Sequence, residues 1–297
     1  MMEIARVTLI GFGEAGAILA EEMQARGVQV TVWDSQLLGG TRGAMLAKAA
    51  RCGVRPALSP ADAVQGATWV FSVVTAANAL DVAAQCAPLL TGGQVFLDLN
   101  SVAPNTKRAA AALIEQHGAD YLDVAVMAPV PPQRLATPLL IGGPRAEEIG
   151  PKLNSLGFHC RVWSREVGEA SAIKMCRSVM IKGLEALTTE CLSAARQYGV
   201  EQAVIDSLHA SFPSLGWQGE FPHYLISRVA EHGRRRAEEM QEVVKTLQDV
   251  QVPAAMSQAT AQTQQGMVDA LAARDLTYAQ LTPFVWQQTI DTLYAKK

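Results

Sequence analysis

Three glycines, an acid and a lysine are the residues here whose types and spacing point to chemistry. Gly11-Phe12-Gly13-Glu14-Ala15-Gly16 follows the strand-like run Val7-Thr8-Leu9-Ile10 and opens an Ala/Glu/Leu-rich stretch from about Glu14 to Arg26. In such a strand–turn–helix unit the first glycine permits the tight turn. The second lets the backbone approach a pyrophosphate, and the third lets the helix pack closely on the strand. The phosphates then rest on free N–H groups at the positive end of the helix dipole. Asp34 stands 23 residues after Gly11, at the end of the next strand-like run, Val28 to Trp33. An acid there accepts hydrogen bonds from the adenosine ribose hydroxyls and repels a 2′-phosphate, which favours NAD. Arg42 is close enough in sequence to offer NADP a counter-charge, so NAD or NADP is expected, with NAD favoured. A simple turn-forming aspartate is the plainer reading of Asp34, and it is compatible with the other.

The second group is Gly168-Glu169-Ala170-Ser171-Ala172-Ile173-Lys174. Ser171, Arg177 and Ser178 lie at i−3, i+3 and i+4 from Lys174 and share its helix face. A hydride-transfer enzyme needs a group to take or return a hydroxyl proton. A lysine does this at neutral pH when desolvation and a neighbouring cation lower its pKa. An ordinary solvated lysine is the competing reading.

The elements that must position these residues follow a simple order. Short β-like runs alternate with helical stretches over the first 164 residues: Trp69 to Val74, Gln94 to Leu97, Tyr121 to Met127, Leu139 to Ile141 and Phe158 to Val162, with helices such as Ala109 to His117 and Arg145 to Leu156 between them. That alternation predicts a mostly parallel sheet with helices on both faces. Pro129-Val130-Pro131-Pro132 reads as a stiff non-helical stretch after a strand. Beyond Glu166 no strand-like run follows. Glu169 to Tyr198 has no proline and predicts one helix of roughly 30 residues, ~45 Å long. Pro213, Pro222, Pro253 and Pro283 punctuate further helices. The expected fold is α/β: a Rossmann-type doubly wound sheet in residues 1–164, followed by an all-α C-terminal domain in residues 165–297.

Composition narrows the class without naming the chemistry. The 297 residues are 49% apolar and 18% charged, which excludes a disordered chain. A formal net charge of −3 gives no electrostatic reason to expect nucleic acid or an anionic membrane. No apolar run reaches the ~18 residues of a membrane span, and the N-terminus lacks the pattern of a secretory signal. Cys52, Cys86, Cys160, Cys176 and Cys191 are odd in number and form no C-x-x-C pair, which points to a reducing, cytoplasmic setting. His117, His159, His209, His223 and His232 show no metal-ligand spacing, so no metal is expected. Trp217, Phe221 and Tyr224 read as core or interface aromatics.

Several ordered segments resemble the β-hydroxyacid dehydrogenase superfamily, which includes the 3-hydroxyisobutyrate and 6-phosphogluconate dehydrogenases. The opening glycine loop matches. Asp98-Leu99-Asn100-Ser101-Val102-Ala103-Pro104 resembles the family's D-x-S-T-x-x-P segment. Leu122-Asp123-Val124-Ala125-Val126-Met127 falls where the family has a strand reading roughly L-D-A-P-V-S-G-G, and Leu140-Ile141-Gly142-Gly143 matches the strand after it. Gly168 stands six residues before Lys174, as in the family's glycine-then-lysine motif. The resemblance implies Lys174 as general acid/base and Gly11, Phe12, Gly13, Glu14, Ala15, Gly16, Asp34, Val74 and Thr75 at the cofactor. It implies Asn100, Ser101, Met127, Arg177 and Ser178 at the substrate, and a homodimer made through the helical domain.

Two departures alter the expected pocket. The family's S-G-G loop, which holds a carboxylate, becomes Met127-Ala128-Pro129. Met127 has no hydroxyl and Pro129 has no N–H. The family's Asn four residues after the lysine is Ser178, and Arg177 before it reads either as a substitute carboxylate clamp or as a salt-bridged or solvated arginine. A bulkier or more apolar substrate than a small hydroxyacid is therefore expected. The C-terminal helical domain resembles that of an atypical subgroup. Its Arg234-Arg235-Arg236 run reads as a solvated face with Arg–Glu pairs or as an anion anchor. The expected activity is NAD(P)-dependent hydride transfer at a hydroxyl-bearing carbon. The rivals are an imine reductase, against which Lys174 argues, and a non-catalytic NAD(P)-binding protein.

Overall fold

In this computed structural model residues 6–294 are described. They divide into two compact units, the first ending at Met175 and the second beginning at Cys176.

The first unit is built on β1 (Val7–Ile10), β2 (Val30–Trp33), β3 (Arg55–Pro56), β4 (Trp69–Ser72), β5 (Val95–Asp98), β6 (Asp120–Val126), β7 (Pro138–Gly142) and β8 (His159–Ser164). They form one sheet in the order β3-β2-β1-β4-β5-β6-β7-β8. The first six strands are parallel and reverse direction of growth at β1/β4, the doubly wound arrangement. β7 runs antiparallel to β6, and β8 parallel to β7. Helices α1 (Glu14–Ala25), α2 (Arg42–Cys52), α3 (Pro60–Val64), α4 (Ala79–Cys86), α5 (Pro104–Glu115), α6 (Val130–Gln133) and α7 (Ala146–Ser155) connect the strands. A parallel sheet covered on both faces needs strands that are apolar throughout. Val7, Leu9, Ile10, Val70, Phe71, Phe96 and Leu97 are buried accordingly. Burial also pushes the Cys86 and Cys160 thiols up to about 12.

Two sequence expectations change. The Pro129–Pro132 stretch is not wholly extended: Val130–Gln133 closes a single helical turn, with its prolines at the first positions, where no N–H is missed. A short edge strand, Arg55–Pro56, joins the sheet beside β2, too brief to register as a periodic run.

The described part of the second unit is helical. It holds most of α8 (Glu169–Tyr198), then α9 (Glu201–Ser211), α10 (Phe221–Asp249), α11 (Ala255–Ala272) and α12 (Trp286–Tyr294). α10 and α11 approach closely at Gly233, where a Cβ would come within 2.3 Å of the Gln264 carbonyl oxygen. Leu192, Trp217, Ile226, Val229 and Ile290 form its apolar core. Trp217 meets Phe221 edge-on at 5.4 Å, so both are core aromatics. Arg236 turns inward from the arginine run, 2.9 Å from the buried Glu185, while Arg234 and Arg235 stay exposed. Glu239 pairs with Lys182 at 2.5 Å.

The glycine loop shows the steric demand most sharply. Gly11 has φ +100°, and a Cβ there would lie 2.2 Å from the Val73 carbonyl oxygen. Gly11→Ala is therefore expected to destabilise the chain by about 1–3 kcal/mol, read as a lower urea midpoint at unchanged slope.

Candidate functional site

The turns at the C-terminal ends of β1, β4, β5 and β6 gather at one edge of the sheet. In an open α/β sheet this is where ligands bind, at the point where strand order reverses. The loop after β1 is held by two side chains, Asp34 and Lys48. Asp34, at the end of β2, accepts the Phe12 N–H at 2.7 Å through Oδ2 and the Gln36 N–H at 3.0 Å through Oδ1. Lys48 of α2 donates to the carbonyls of Phe12 at 2.6 Å and Gly13 at 2.9 Å. Its ammonium also sits 4.8 Å from the centre of the Phe12 ring.

This loop fits a dinucleotide phosphate. A Cβ on Gly16 would fall 2.2 Å from the Gly11 carbonyl oxygen, so helix and turn touch directly. Gly13 faces open space, with nothing within 4 Å of an added Cβ. No side chain caps α1, and Glu14 stands in its first turn beside Ala15. Phe12 is fully buried and its N–H and carbonyl are taken by Asp34 and Lys48, so it shapes the loop from within. Val74 and Thr75 follow β4, and Thr75 Oγ1 accepts the Asn78 side-chain N–H at 2.8 Å. Arg42 is exposed in the first turn of α2.

The turn after β5 carries Asn100 and Ser101. Asn100 is buried. Its Oδ1 accepts the Val74 N–H at 2.7 Å and its Nδ2 donates to Ser72 Oγ at 2.9 Å. Asn100 thereby ties the β5 turn to the β4 turn. Ser101 takes a different partner: Lys174 donates to its Oγ at 2.6 Å. Two residues 73 positions apart meet in one polar contact. Ser171, one turn before Lys174, is buried rather than lining a ligand space. Further along α8, Arg177 is exposed and Ser178 buried.

Below this contact lies a buried charge cluster that sequence reading did not assign. Lys107 of α5 is 0% exposed. Its ammonium donates to the Asp98 carbonyl at 2.6 Å and lies 3.1 Å from Asp98 Oδ1 and 3.5 Å from Asp123 Oδ1. Asp98 also accepts the Asn100 N–H at 2.8 Å and the Tyr121 hydroxyl at 2.7 Å. Asp123 accepts the N–H groups of Gly168 at 3.1 Å and Ser171 at 3.0 Å, and the Ser171 hydroxyl at 2.5 Å. The traces of this cluster in the sequence were two acids inside apolar strands, Val95-Phe96-Leu97-Asp98 and Leu122-Asp123-Val124. Lys48 left no such trace, being a lysine on a largely exposed helix.

The family of this chain follows from comparison with known proteins. The model of the NAD-binding domain of 6-phosphogluconate dehydrogenase matches residues 6–163, over half of the chain. The protein belongs to the β-hydroxyacid dehydrogenase superfamily. Within it, residues 195–267 match DUF1932, a domain of unknown function. A conserved hypothetical protein from Sinorhizobium meliloti 1021 is 36% identical, with TM-score 0.74, covering 98% of this chain and 97% of its own. The 3-hydroxyisobutyrate dehydrogenase of Pseudomonas aeruginosa is 25% identical over 229 residues, 71% of each chain. A Mycobacterium tuberculosis 3-hydroxyisobutyrate dehydrogenase structure with L-serine shares the fold at TM-score 0.70 and 16% identity, covering 98% of this chain and all of that one.

This superfamily member has its own segment after β6. The Met127 N–H is used by the Pro138 carbonyl at 2.9 Å, and Pro129 has none. Among the described residues no cluster of His, Cys, Asp or Glu could hold a metal ion.

Burial and the neighbouring Asp98 carboxylate push the Tyr121 phenol well above its ordinary 10.0. The stability this gives is complete below pH 10.0, where folded and unfolded chains both keep the proton. It is lost as pH rises from there towards the folded value. Wild type is thus expected to lose stability more steeply above that pH than Tyr121→Phe, in urea melts across an alkaline pH series.

Proposed function

We propose that this protein is an NAD(P)-dependent dehydrogenase acting on the hydroxyl-bearing carbon of a β-hydroxyacid-like, bulky or apolar substrate. The observation that carries this reading is the 2.6 Å contact between Lys174 Nζ and Ser101 Oγ at the ligand-binding edge of a Rossmann-type sheet. Gly11, Phe12, Gly13, Glu14, Ala15 and Gly16 form the phosphate loop, and with the Gly11 and Phe12 N–H groups held by Trp33 and Asp34, it is the backbone from Gly13 onward that faces the phosphate. Asp34 sits where the adenosine ribose is read, and Val74 and Thr75 border the cofactor. When bound, the nicotinamide supplies the chemistry of accepting or returning a hydride.

Lys174, as the neutral amine, takes the hydroxyl proton while the C–O bond gains double-bond character and the carbinol hydrogen leaves with its electron pair. In the reverse direction its ammonium returns that proton to the carbonyl oxygen. Ser101 holds the amine in place and, with Asn100, Met127, Arg177 and Ser178, is assigned to the substrate side. Because the Met127 N–H is taken by Pro138 and Pro129 has none, Arg177 is assigned as the group that would meet a carboxylate. Asp34 favours NAD, since its carboxylate stands where a 2′-phosphate would bring like charge. The apolar composition of the chain and its five free cysteines suit a cytoplasmic enzyme.

A larger thermal shift with NAD than with NADP is expected. Lys174→Ala should keep that shift and lose turnover by about a hundredfold or more on a panel of small hydroxyacids, aromatic hydroxyacids and β-hydroxy amino acids. Unchanged turnover in the variant would remove Lys174 from the chemistry. Activity on cyclic imines alone would replace the reading with an imine reductase, and cofactor binding without any turnover would make the protein a binding module.

A homodimer through the helical domain belongs to the same proposal. On α8, Met180, Leu184, Leu187, Cys191, Ala194 and Tyr198 recur at alternating spacings of four and three, the pattern of a helix–helix seam. Met180, Leu187 and Tyr198 are 72%, 55% and 84% exposed. Sedimentation is expected to give twice the 31.8 kDa chain mass, and Leu187→Glu to shift it towards the monomer. A wild-type monomer at micromolar concentration would refute this.

A further inference from the structure

We propose that Lys107 and Asp123 are positioning residues that set the proton-transfer lysine in place without touching a ligand. The proposal rests on the reading of Lys174 as that lysine. Lys107 is 0% exposed and Asp123 is 0% exposed, so neither reaches a bound molecule. Their partners nevertheless lead to both sides of the Lys174–Ser101 contact.

On one side, Asp123 gathers three donors from the start of α8: the Gly168 N–H, the Ser171 N–H and the Ser171 hydroxyl. A carboxylate at a helix N-terminus satisfies orphan N–H groups and meets the positive end of the dipole. Lys174 is three residues past Ser171, on the same face, so fixing that turn fixes where its side chain starts. On the other side, Asp98 holds the Asn100 N–H, and Asn100 holds Ser72 and Val74. Ser101, the partner of Lys174, is the next residue.

Lys107 joins the two halves. Its ammonium stands between Asp98 and Asp123, at 3.1 and 3.5 Å. Without it two carboxylates would face each other in a site closed to water, where like charges repel strongly. The first turn of α8 and the β5 turn would then be free to move apart. Among the described residues, Asp98 and Asp123 also accept from a phenol, a hydroxyl and backbone N–H groups. The buried Lys107 cation between them therefore sets the separation of the two turns that present Ser101 and Lys174.

Competitive acetylation of the full-length protein with acetic anhydride, read by peptide mass spectrometry, tests this without a substrate. Lys152 and Lys245, on other surfaces, serve as internal references. In Lys107→Gln, acetylation of Lys174 relative to the references is expected to rise by about threefold or more, with the fold intact by circular dichroism and the NAD thermal shift retained. Lys174 labelled at the wild-type rate in a folded Lys107→Gln would overturn the proposal. Should that variant not fold, Ser171→Ala removes one of the three donors to Asp123 and must also raise Lys174 labelling. No rise there would equally overturn it.

Kinetics supply the second arm. With a turned-over substrate, kcat in Lys107→Gln is expected to fall about tenfold or more while both KM values stay near wild type. The loss in the double variant with Ser171→Ala should be less than additive, because both act through Asp123. Wild-type kcat, or strict additivity, would count against the relay. If no substrate is ever turned over but labelling responds as stated, the dehydrogenase reading fails while the positioning role stands.

Discussion

The ammonium of Lys107, shared by two buried carboxylates, is the interaction that joins α5 to β5 and β6 at the polar centre of the first unit. It lies in a place where a charge is costly, between α5, the end of β5 and the middle of β6. Removing one partner from a buried ion pair costs about 3–5 kcal/mol, because the other is left uncompensated. Here one cation serves two acids, so the dependence is sharper still. Each carboxylate is completed by neutral donors: the Tyr121 hydroxyl and Asn100 N–H for Asp98, and the start of α8 for Asp123. A buried polar network this well satisfied rigidifies what it touches. What it touches are the two turns that bring Ser101 and Lys174 together.

The glycine loop is organised by a different principle. It is shaped by the absence of side chains and then held by charged ones. Gly11 and Gly16 have no room for a Cβ, while Gly13 is left open to its surroundings. Asp34 takes the Phe12 N–H, and Lys48 takes the Phe12 and Gly13 carbonyls. Asp34 thus serves the turn, a role compatible with the ribose contact proposed for it.

The helical unit shows how local charge patterns mislead when read along one helix. Three successive arginines suggest a solvated face, yet Arg236 turns inward to Glu185. Burial is the leading cause that raises the Glu185 carboxyl, with Arg236, Gln264 and Lys182 opposing it. His232, nearby in sequence, is pulled down to about 4, first by burial and then by Arg228, Arg235 and Arg236. It is therefore neutral at physiological pH, as a structural histidine would be.

Much of the fold was legible because its signals are local. A parallel sheet writes itself as apolar runs, turns as glycines, and helices as long stretches free of proline. The run Glu169 to Tyr198 is one helix as its composition demands. The Pro129–Pro132 stretch was misread because proline tolerates the first turn of a helix as readily as an extended segment. The glycine loop was legible because its spacing is fixed by backbone geometry, whereas Lys174 stood out only through the resemblance to the family's glycine-then-lysine motif. Lys107, Lys48 and the hold of Asp123 on α8 were not legible. Their meaning depends on which distant groups come within about 3 Å, and no periodicity along one chain encodes that. The sequence alone determined the order of elements and the residue types able to do chemistry. Only the tertiary structure decided which acids share the buried cation, and so which serine meets Lys174, because desolvated charges are positioned by their partners in space.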